Sequence, residues 1–111
     1  VMNVIGNVKG KTCIITDDII DSGGTIVNAA DALIKRGAKE VYVYVTHGVL
    51  SGEAVEKIKK SKIKNLVVTD TIDNSDKVKK SRNIEVLSIS NLLAEAMKRI
   101  SNSTSVSDLF K

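Results

Sequence analysis

The chain has 111 residues, of which 42% are hydrophobic and 3% aromatic, and its formal net charge is +4. This length fits one compact domain, whose core must be built from Val, Ile, Leu and Ala because aromatic residues are so few. The sequence has no apolar run of membrane-spanning length and no signal-peptide pattern, so we expect no membrane as a partner. It also has no zinc-ligand pattern and lacks the stacking aromatics and basic recognition helices of nucleic-acid-binding proteins, so we expect no nucleic acid as a partner.

The cysteine content predicts the cellular compartment, and the first residues predict that the chain is part of a longer protein. Cys13 is the single cysteine, so an internal disulfide is excluded and a reducing compartment is expected, which predicts a cytoplasmic protein. Its position inside an apolar strand indicates that its side chain packs in the core. The sequence opens at Val1 inside an apolar stretch without an initiating methionine. We therefore expect residues 1–111 to be a single domain of a longer enzyme.

The first half of the chain alternates predicted strands with a predicted helix. Residues 2–8 form a first apolar stretch, and residues 12–17 are apolar on both alternating faces, which is typical of a central parallel strand covered by helices on each side. Thr25 is then expected to cap a helix that reaches Arg36, since apolar residues recur at helical spacing and Gly37 follows. Residues 41–46, dense in Val and Tyr, predict the next strand.

The second half repeats this alternation. Ser51 is expected to cap a helix, residues 66–69 to form a strand, residues 73–83 a polar loop and residues 84–89 a last strand. Ser90 is then expected to cap a helix, and the polar tail 101–111 to be flexible. Strands that alternate with helices predict an α/β fold, a doubly wound, mainly parallel sheet flanked by helices.

A phosphate-binding turn is predicted directly after the strand at 12–17, where ligands of open α/β sheets bind. The segment reads Asp17-Asp18-Ile19-Ile20-Asp21-Ser22-Gly23-Gly24-Thr25. Its glycines let the backbone bend closely around an anion, and the following helix adds the positive end of its dipole. The hydroxyls of Ser22 and Thr25 can donate further hydrogen bonds.

Three carboxylates, those of Asp17, Asp18 and Asp21, lie beside this turn and would repel a bare phosphate. Like charges about 4 Å apart cost about 4 kcal/mol at an effective dielectric constant near 20. A sugar phosphate resolves the conflict, because its hydroxyls can donate to the carboxylates while its phosphate lies in the turn. Mg²⁺ held by carboxylates, directly or through water, would also offset the repulsion.

A simpler interpretation is a helix-entry turn with exposed aspartates, which a lone Gly-Gly-Thr would not exclude. The segment is not a P-loop, because no Lys-Ser/Thr follows the glycines, and it is not an EF-hand, because the ligand spacing differs and the bidentate Glu is absent. The acidic residues together with the glycines favour a sugar-phosphate site over the simpler interpretation.

The acidic and glycine-rich segment resembles the phosphoribosyl pyrophosphate-binding signature of type I phosphoribosyltransferases and of ribose-phosphate pyrophosphokinases. Several other segments are similar to the pyrophosphokinase family in particular. They are Val4-Ile5-Gly6-Asn7-Val8, Thr46-His47-Gly48-Val49-Leu50-Ser51-Gly52, Leu66-Val67-Val68-Thr69-Asp70-Thr71-Ile72, Leu92-Leu93-Ala94-Glu95-Ala96 and Ser105-Val106-Ser107-Asp108-Leu109-Phe110. The resemblance covers essentially the whole chain and corresponds to the carboxy-terminal part of that family, with a type I phosphoribosyltransferase-like fold.

The resemblance implies a role for each residue of the segment. Residues 21–25, which are Asp21, Ser22, Gly23, Gly24 and Thr25, would hold the 5-phosphate of ribose 5-phosphate. Asp17, with Asp18, would face the ribose hydroxyls and contact Mg²⁺ through water or substrate. The tail residues Ser105, Ser107 and Phe110 match the part of the family that helps form a regulatory phosphate or ADP site between subunits.

The resemblance also implies what the full-length enzyme does. Such an enzyme transfers pyrophosphate from Mg-ATP to ribose 5-phosphate for nucleotide biosynthesis, as a homo-oligomer that is a hexamer when full length. Its ATP site and catalytic loop would lie upstream, so no catalytic residue is expected here and this chain alone is expected to be inactive. Two alternatives stay open, a phosphoribosyltransferase and a non-catalytic regulatory subunit of the synthetase.

Some residues depart from the family pattern or have no clear role in it. Asp70 stands where the family usually has Asn, and Asp108 where it often has Tyr. His47, the only histidine, could be catalytic but is better explained as shaping the turn into the next helix. Tyr42 and Tyr44 alternate on one strand face and are expected in the core or at an interface.

Overall fold

The computed structural model describes residues 4–111, which form four strands and four helices in alternation. In chain order they are β1 (Thr12–Ile20), α1 (Gly24–Lys35), β2 (Glu40–Gly48), α2 (Ala54–Lys60), β3 (Ile63–Thr69), α3 (Ser75–Val78), β4 (Ile84–Leu87) and α4 (Ser90–Ser101), followed by a 3-10 turn at Ser107–Phe110. The apolar stretch at 2–8 lies partly outside the described residues, and residues 4–8 do not form a strand. None of the helices in the described range is long and apolar enough to cross a membrane.

The four strands form one parallel sheet in the order β1-β2-β3-β4. Val45 of β2 pairs with Asp17 of β1 on one side and with Val68 of β3 on the other, so the carboxyl ends of these strands lie at one edge. The predicted α/β fold, with a parallel sheet and flanking helices, is confirmed.

The hydrophobic core lies between one face of this sheet and the helices α1 and α2. Val41, Val43 and Val45 point into it at alternate positions of β2, and Ala30 of α1 and Ile58 of α2 are fully buried against that face. Cys13 packs against the same core, as predicted. Because β-strand side chains alternate between faces, each strand contributes every second residue to the core.

The opposite face of the sheet is open within residues 4–111. Ile14, Tyr44 and Leu87 are 57%, 43% and 60% exposed there. The prediction that residues 12–17 form a central strand covered on each side is therefore wrong for this chain. Within residues 4–111, β1 is an edge strand, and apolar residues on its second face are uncovered.

Several element boundaries differ from the predictions. Thr25, Ser51 and Ser90 do not cap helices, because the cap positions of α1, α2 and α4 are Gly23, Glu53 and Ile89, without side-chain bonds. The short helix α3 lies inside the segment predicted as a polar loop. β1 extends to Ile20, which places Asp17 and Asp18 within the strand.

Candidate functional site

The turn between β1 and α1 has the backbone geometry of an anion-binding site. Gly23 precedes the helix with a φ of 86°, in the left-handed region that glycine adopts without strain. Within residues 4–111, the backbone N–H groups of residues 22–26 have no hydrogen-bond acceptor, and the first bond of the turn runs from Val27 N–H to the Gly23 carbonyl. Five consecutive free amides at the start of a 12-residue helix can bind an anion.

A cavity of about 240 Å³ opens at this turn and brings together five of the seven residues predicted to bind the sugar phosphate. Its polar wall is formed by Asp17, Asp21, Ser22, Gly23 and Thr25, and its apolar wall by Ile19, Ile20 and Ile26. Asp18 and Gly24 do not line it. Carboxylates and hydroxyls therefore line the same cavity as four of the five residues with free amides.

Gly23 is buried on the side away from this cavity. A Cβ atom at Gly23 would lie 3.8 Å from the side chains of Ala54 and Ile58 in α2, whereas one at Gly24 would meet nothing within 4 Å. Gly23 thus packs against α2 and also lines the cavity.

The first carboxylate of the site is held by its neighbour. The backbone N–H of Asp18 donates to Asp17 Oδ1 at 2.7 Å. The pKa of Asp17 lies below its ordinary value, first because of a hydrogen bond with the Asp18 side chain and then because of this backbone bond. Asp17 is therefore ionised at neutral pH and able to accept hydrogen bonds from sugar hydroxyls.

Asp21 accepts a hydrogen bond from Ser51, a contact that the sequence does not predict. The hydroxyl of Ser51 donates to Asp21 Oδ1 at 2.5 Å, and the Ser51 backbone N–H donates to the Asp21 carbonyl at 3.0 Å. Ser51 follows β2, at a position where the sequence predicts a cap for α2. Only its position directly after a strand, at the same edge of the sheet, could have signalled the contact.

Hydrogen bonds also link the ends of β2 and β3. His47 Nδ1 lies 2.9 Å from Thr71 Oγ1, and the hydroxyl of Thr69 donates to the Thr46 carbonyl at 2.6 Å. The side chain of His47 therefore contacts the loop after β3. Asp70 accepts the backbone N–H of Ile89, which joins that loop to the start of α4.

Comparison with known proteins decides which family has this arrangement. Residues 1–111 match the family model described as "Phosphoribosyl synthetase-associated domain". The chain belongs to this family. It is 59% identical over 110 residues to a ribose-phosphate pyrophosphokinase of Bradyrhizobium diazoefficiens, and 60% identical over 110 residues to one of Hyphomonas neptunium. Each comparison covers 99% of this chain and 35% of the relative, so the chain spans about a third of their length.

A solved structure agrees with the family assignment. The crystal structure of phosphoribosylpyrophosphate synthetase from Mycobacterium smegmatis superposes with a TM-score of 0.85 at 41% sequence identity. The superposition covers 89% of this chain and 33% of that one. The resemblance to ribose-phosphate pyrophosphokinases in the sequence is thereby confirmed.

The donor set of this phosphoribosyl synthetase-associated domain fits Mg²⁺ only in part. Within residues 4–111, no group of three or more His, Cys, Asp or Glu side chains could hold a metal ion. Mg²⁺ commonly keeps several waters and takes one or two carboxylates together with substrate phosphates. The adjacent carboxylates of Asp17 and Asp18 suit that mode of binding and do not form a complete protein cage.

The tail of the domain brings two of its three predicted regulatory residues together. Ser105 Oγ and Ser107 Oγ lie 2.9 Å apart, and Arg99 donates to the Ser105 carbonyl at 3.0 Å. Phe110 is 72% exposed at the end of the 3-10 turn. Asp108 forms an ion pair with Lys111, at 2.9 Å, which partly neutralises its charge.

Proposed function

We propose that this chain is the ribose 5-phosphate-binding part of a ribose-phosphate pyrophosphokinase. One observation carries the proposal: within residues 4–111, five backbone amides without an acceptor follow β1, and four of the five residues that bear them line a cavity together with Asp17 and Asp21. The amides suit a phosphate, and the carboxylate of Asp17 suits the hydroxyls of the attached sugar. The names of the relatives, ribose-phosphate pyrophosphokinases, support this assignment.

In this proposal residues 21–25 hold the 5-phosphate, and Asp17 with Asp18 orients the ribose. Charge-assisted hydrogen bonds are worth about 1.5–3 kcal/mol each, so three or four of them would hold the phosphate against solvent. Orientation matters because the anomeric hydroxyl must lie in line with the transferred pyrophosphoryl group. The ionised state of Asp17 suits it to accept from hydroxyls and leaves the phosphate to the amides.

The whole enzyme would transfer pyrophosphate from Mg-ATP to ribose 5-phosphate in the cytoplasm. Mg²⁺ would neutralise phosphate charge during the transfer, with Asp17 and Asp18 contacting it through water or substrate. The ATP site and the catalytic loop would be supplied by the part of the enzyme that these 111 residues do not include. Ser105, Ser107 and Phe110 would contribute to an effector site for phosphate or ADP between subunits of a homo-oligomer.

Calorimetric titration with ribose 5-phosphate and with inorganic phosphate tests the proposal. Asp17→Ala should weaken ribose 5-phosphate binding about tenfold or more and leave inorganic phosphate nearly unchanged, because it removes only the acceptor for the sugar. Asp76→Ala, which removes an exposed acid in α3, is the matched control and should change neither. Equal losses for both ligands in Asp17→Ala, or no binding by the unmodified chain, would contradict the proposal.

A further inference from the structure

The first three residues of the loop between β2 and α2 are hydrogen-bonded to the end of β1 and the start of the phosphate-binding turn. Residues 49–51, named here the brace loop, donate three backbone N–H groups to Ile20 and Asp21. Val49 and Leu50 donate to the Ile20 carbonyl at 2.9 and 3.2 Å, and Ser51 donates to the Asp21 carbonyl at 3.0 Å. The position of the turn therefore depends on the brace loop, which is 30 residues away in sequence.

The brace loop is itself held from its other side. Lys77 Nζ donates to the carbonyls of Val49 and Leu50 at 3.3 and 3.2 Å, and Asn74 donates to the Gly48 carbonyl. Leu50 has a φ of 50° and is almost fully buried, in a backbone conformation that an apolar L-residue rarely adopts. A residue keeps such a conformation only where its surroundings determine it, so the brace loop is a fixed support.

One side-chain hydrogen bond connects the brace loop to the carboxylate of Asp21. Ser51 Oγ donates to Asp21 Oδ1, while the other carboxylate oxygen has no partner within residues 4–111. Asp21 also lines the cavity, together with four of the residues whose amides are free. A carboxylate free to rotate there could approach a bound phosphate closely enough to repel it. A hydroxyl that fixes one carboxylate oxygen limits that approach.

We propose that Ser51 is a positioning residue of the phosphate site, whose hydroxyl holds the Asp21 carboxylate so that the amides of residues 22–26 can donate to a phosphate. The inference rests on the proposed function and adds a residue to it. Ser51 acts through Asp21 and does not itself line the cavity. Its effect on binding therefore requires the negative charge of Asp21.

A double-mutant cycle in the 111-residue chain tests this dependence, with ribose 5-phosphate as the probe in calorimetry. Ser51→Ala should weaken binding about tenfold, because the carboxylate loses its donor while the backbone bonds of the brace loop stay. Ser51→Thr keeps a hydroxyl and should restore binding. In an Asp21→Asn background, Ser51→Ala should change binding by less than about twofold, since no charge is left to hold.

A matched control separates binding from folding. Ser61→Ala removes a different serine hydroxyl, which donates to the Ile58 carbonyl near the end of α2, and should leave binding unchanged. Thermal unfolding of each variant shows whether it folds. If the unmodified chain does not bind ribose 5-phosphate, the proposed function itself fails. If it binds but Ser51→Ala has the same effect with and without the Asp21 charge, or no effect at all, only the role of Ser51 is overturned.

Discussion

The carboxylate of Asp70, at the end of β3, accepts a hydrogen bond from the backbone N–H of Ile89 at 2.9 Å. Ile89 is the residue before α4, so this bond joins the loop after β3 to the start of that helix. The pKa of Asp70 lies below its ordinary value, first because of the Ser88 side chain and then because of the Ile89 N–H. An asparagine at this position could accept the same bond through its side-chain carbonyl.

Asp70→Ala should therefore lower the thermal unfolding midpoint, and Asp70→Asn should recover part of the loss. A carboxyl group whose folded pKa is depressed stabilises the protein above its unfolded pKa of about 3.9, and this contribution disappears as the pH falls through the folded value. The difference in midpoint between the wild type and Asp70→Ala should be largest near neutral pH and vanish under strongly acidic conditions. A difference that does not depend on pH would contradict a role for the ionised carboxylate.

The two glycines of the phosphate-binding turn should respond oppositely to alanine. Gly23→Ala places a side chain at a φ of 86° and should cost about 1–2 kcal/mol of unfolding free energy. It should also weaken inorganic phosphate binding, because relaxation of the strain moves the amides. Gly24→Ala, at the first helical position with open space around it, should be neutral or slightly stabilising. Denaturant unfolding and phosphate titration of both variants give the comparison, and equal destabilisation would contradict the assigned backbone geometry.

The sequence predicts those parts of the fold that depend on local periodicity. Val41, Val43 and Val45 alternate regularly, and the predicted strand at 41–46 lies inside β2. The glycines after β1 mark the turn for a similarly local reason, since only glycine takes a positive φ without strain. These features could be found without knowing what packs against them.

What the sequence does not reveal depends on contacts between distant residues. Ser51 has the pattern of a helix cap, yet its hydroxyl bonds to Asp21, and nothing within a few residues of Ser51 indicates that partner. The apolar residues on both faces of β1 suggested two covering layers, but the strand order leaves one face open in this chain. The helix α3 was missed because one polar turn has no periodicity to detect.

Close packing at Gly48 gives a test of how β2 and β3 meet. A Cβ atom there would lie 3.1–3.3 Å from three atoms of the Val68 side chain, which is itself fully buried. Gly48→Ala should therefore cost about 1–3 kcal/mol of unfolding free energy through overpacking. Val68→Ala should cost about 2 kcal/mol through lost burial. The double variant should lose less than the sum, since each change makes room for the other, and strictly additive losses in denaturant unfolding would contradict this contact.

The open face of the sheet should make the isolated chain self-associate. Leu87 is 60% exposed and lines an apolar cavity of about 470 Å³ on that face, together with Tyr44 and Val67. Exposed apolar patches of this kind favour contacts between molecules. Leu87→Lys should therefore shift sedimentation velocity profiles towards monomer without lowering the unfolding midpoint, because Leu87 has little burial to lose. Asn91→Lys adds the same charge at an exposed polar position of α4 and should leave association unchanged. If both variants reduce association equally, net charge and not the apolar face controls it, because the two substitutions share only their charge.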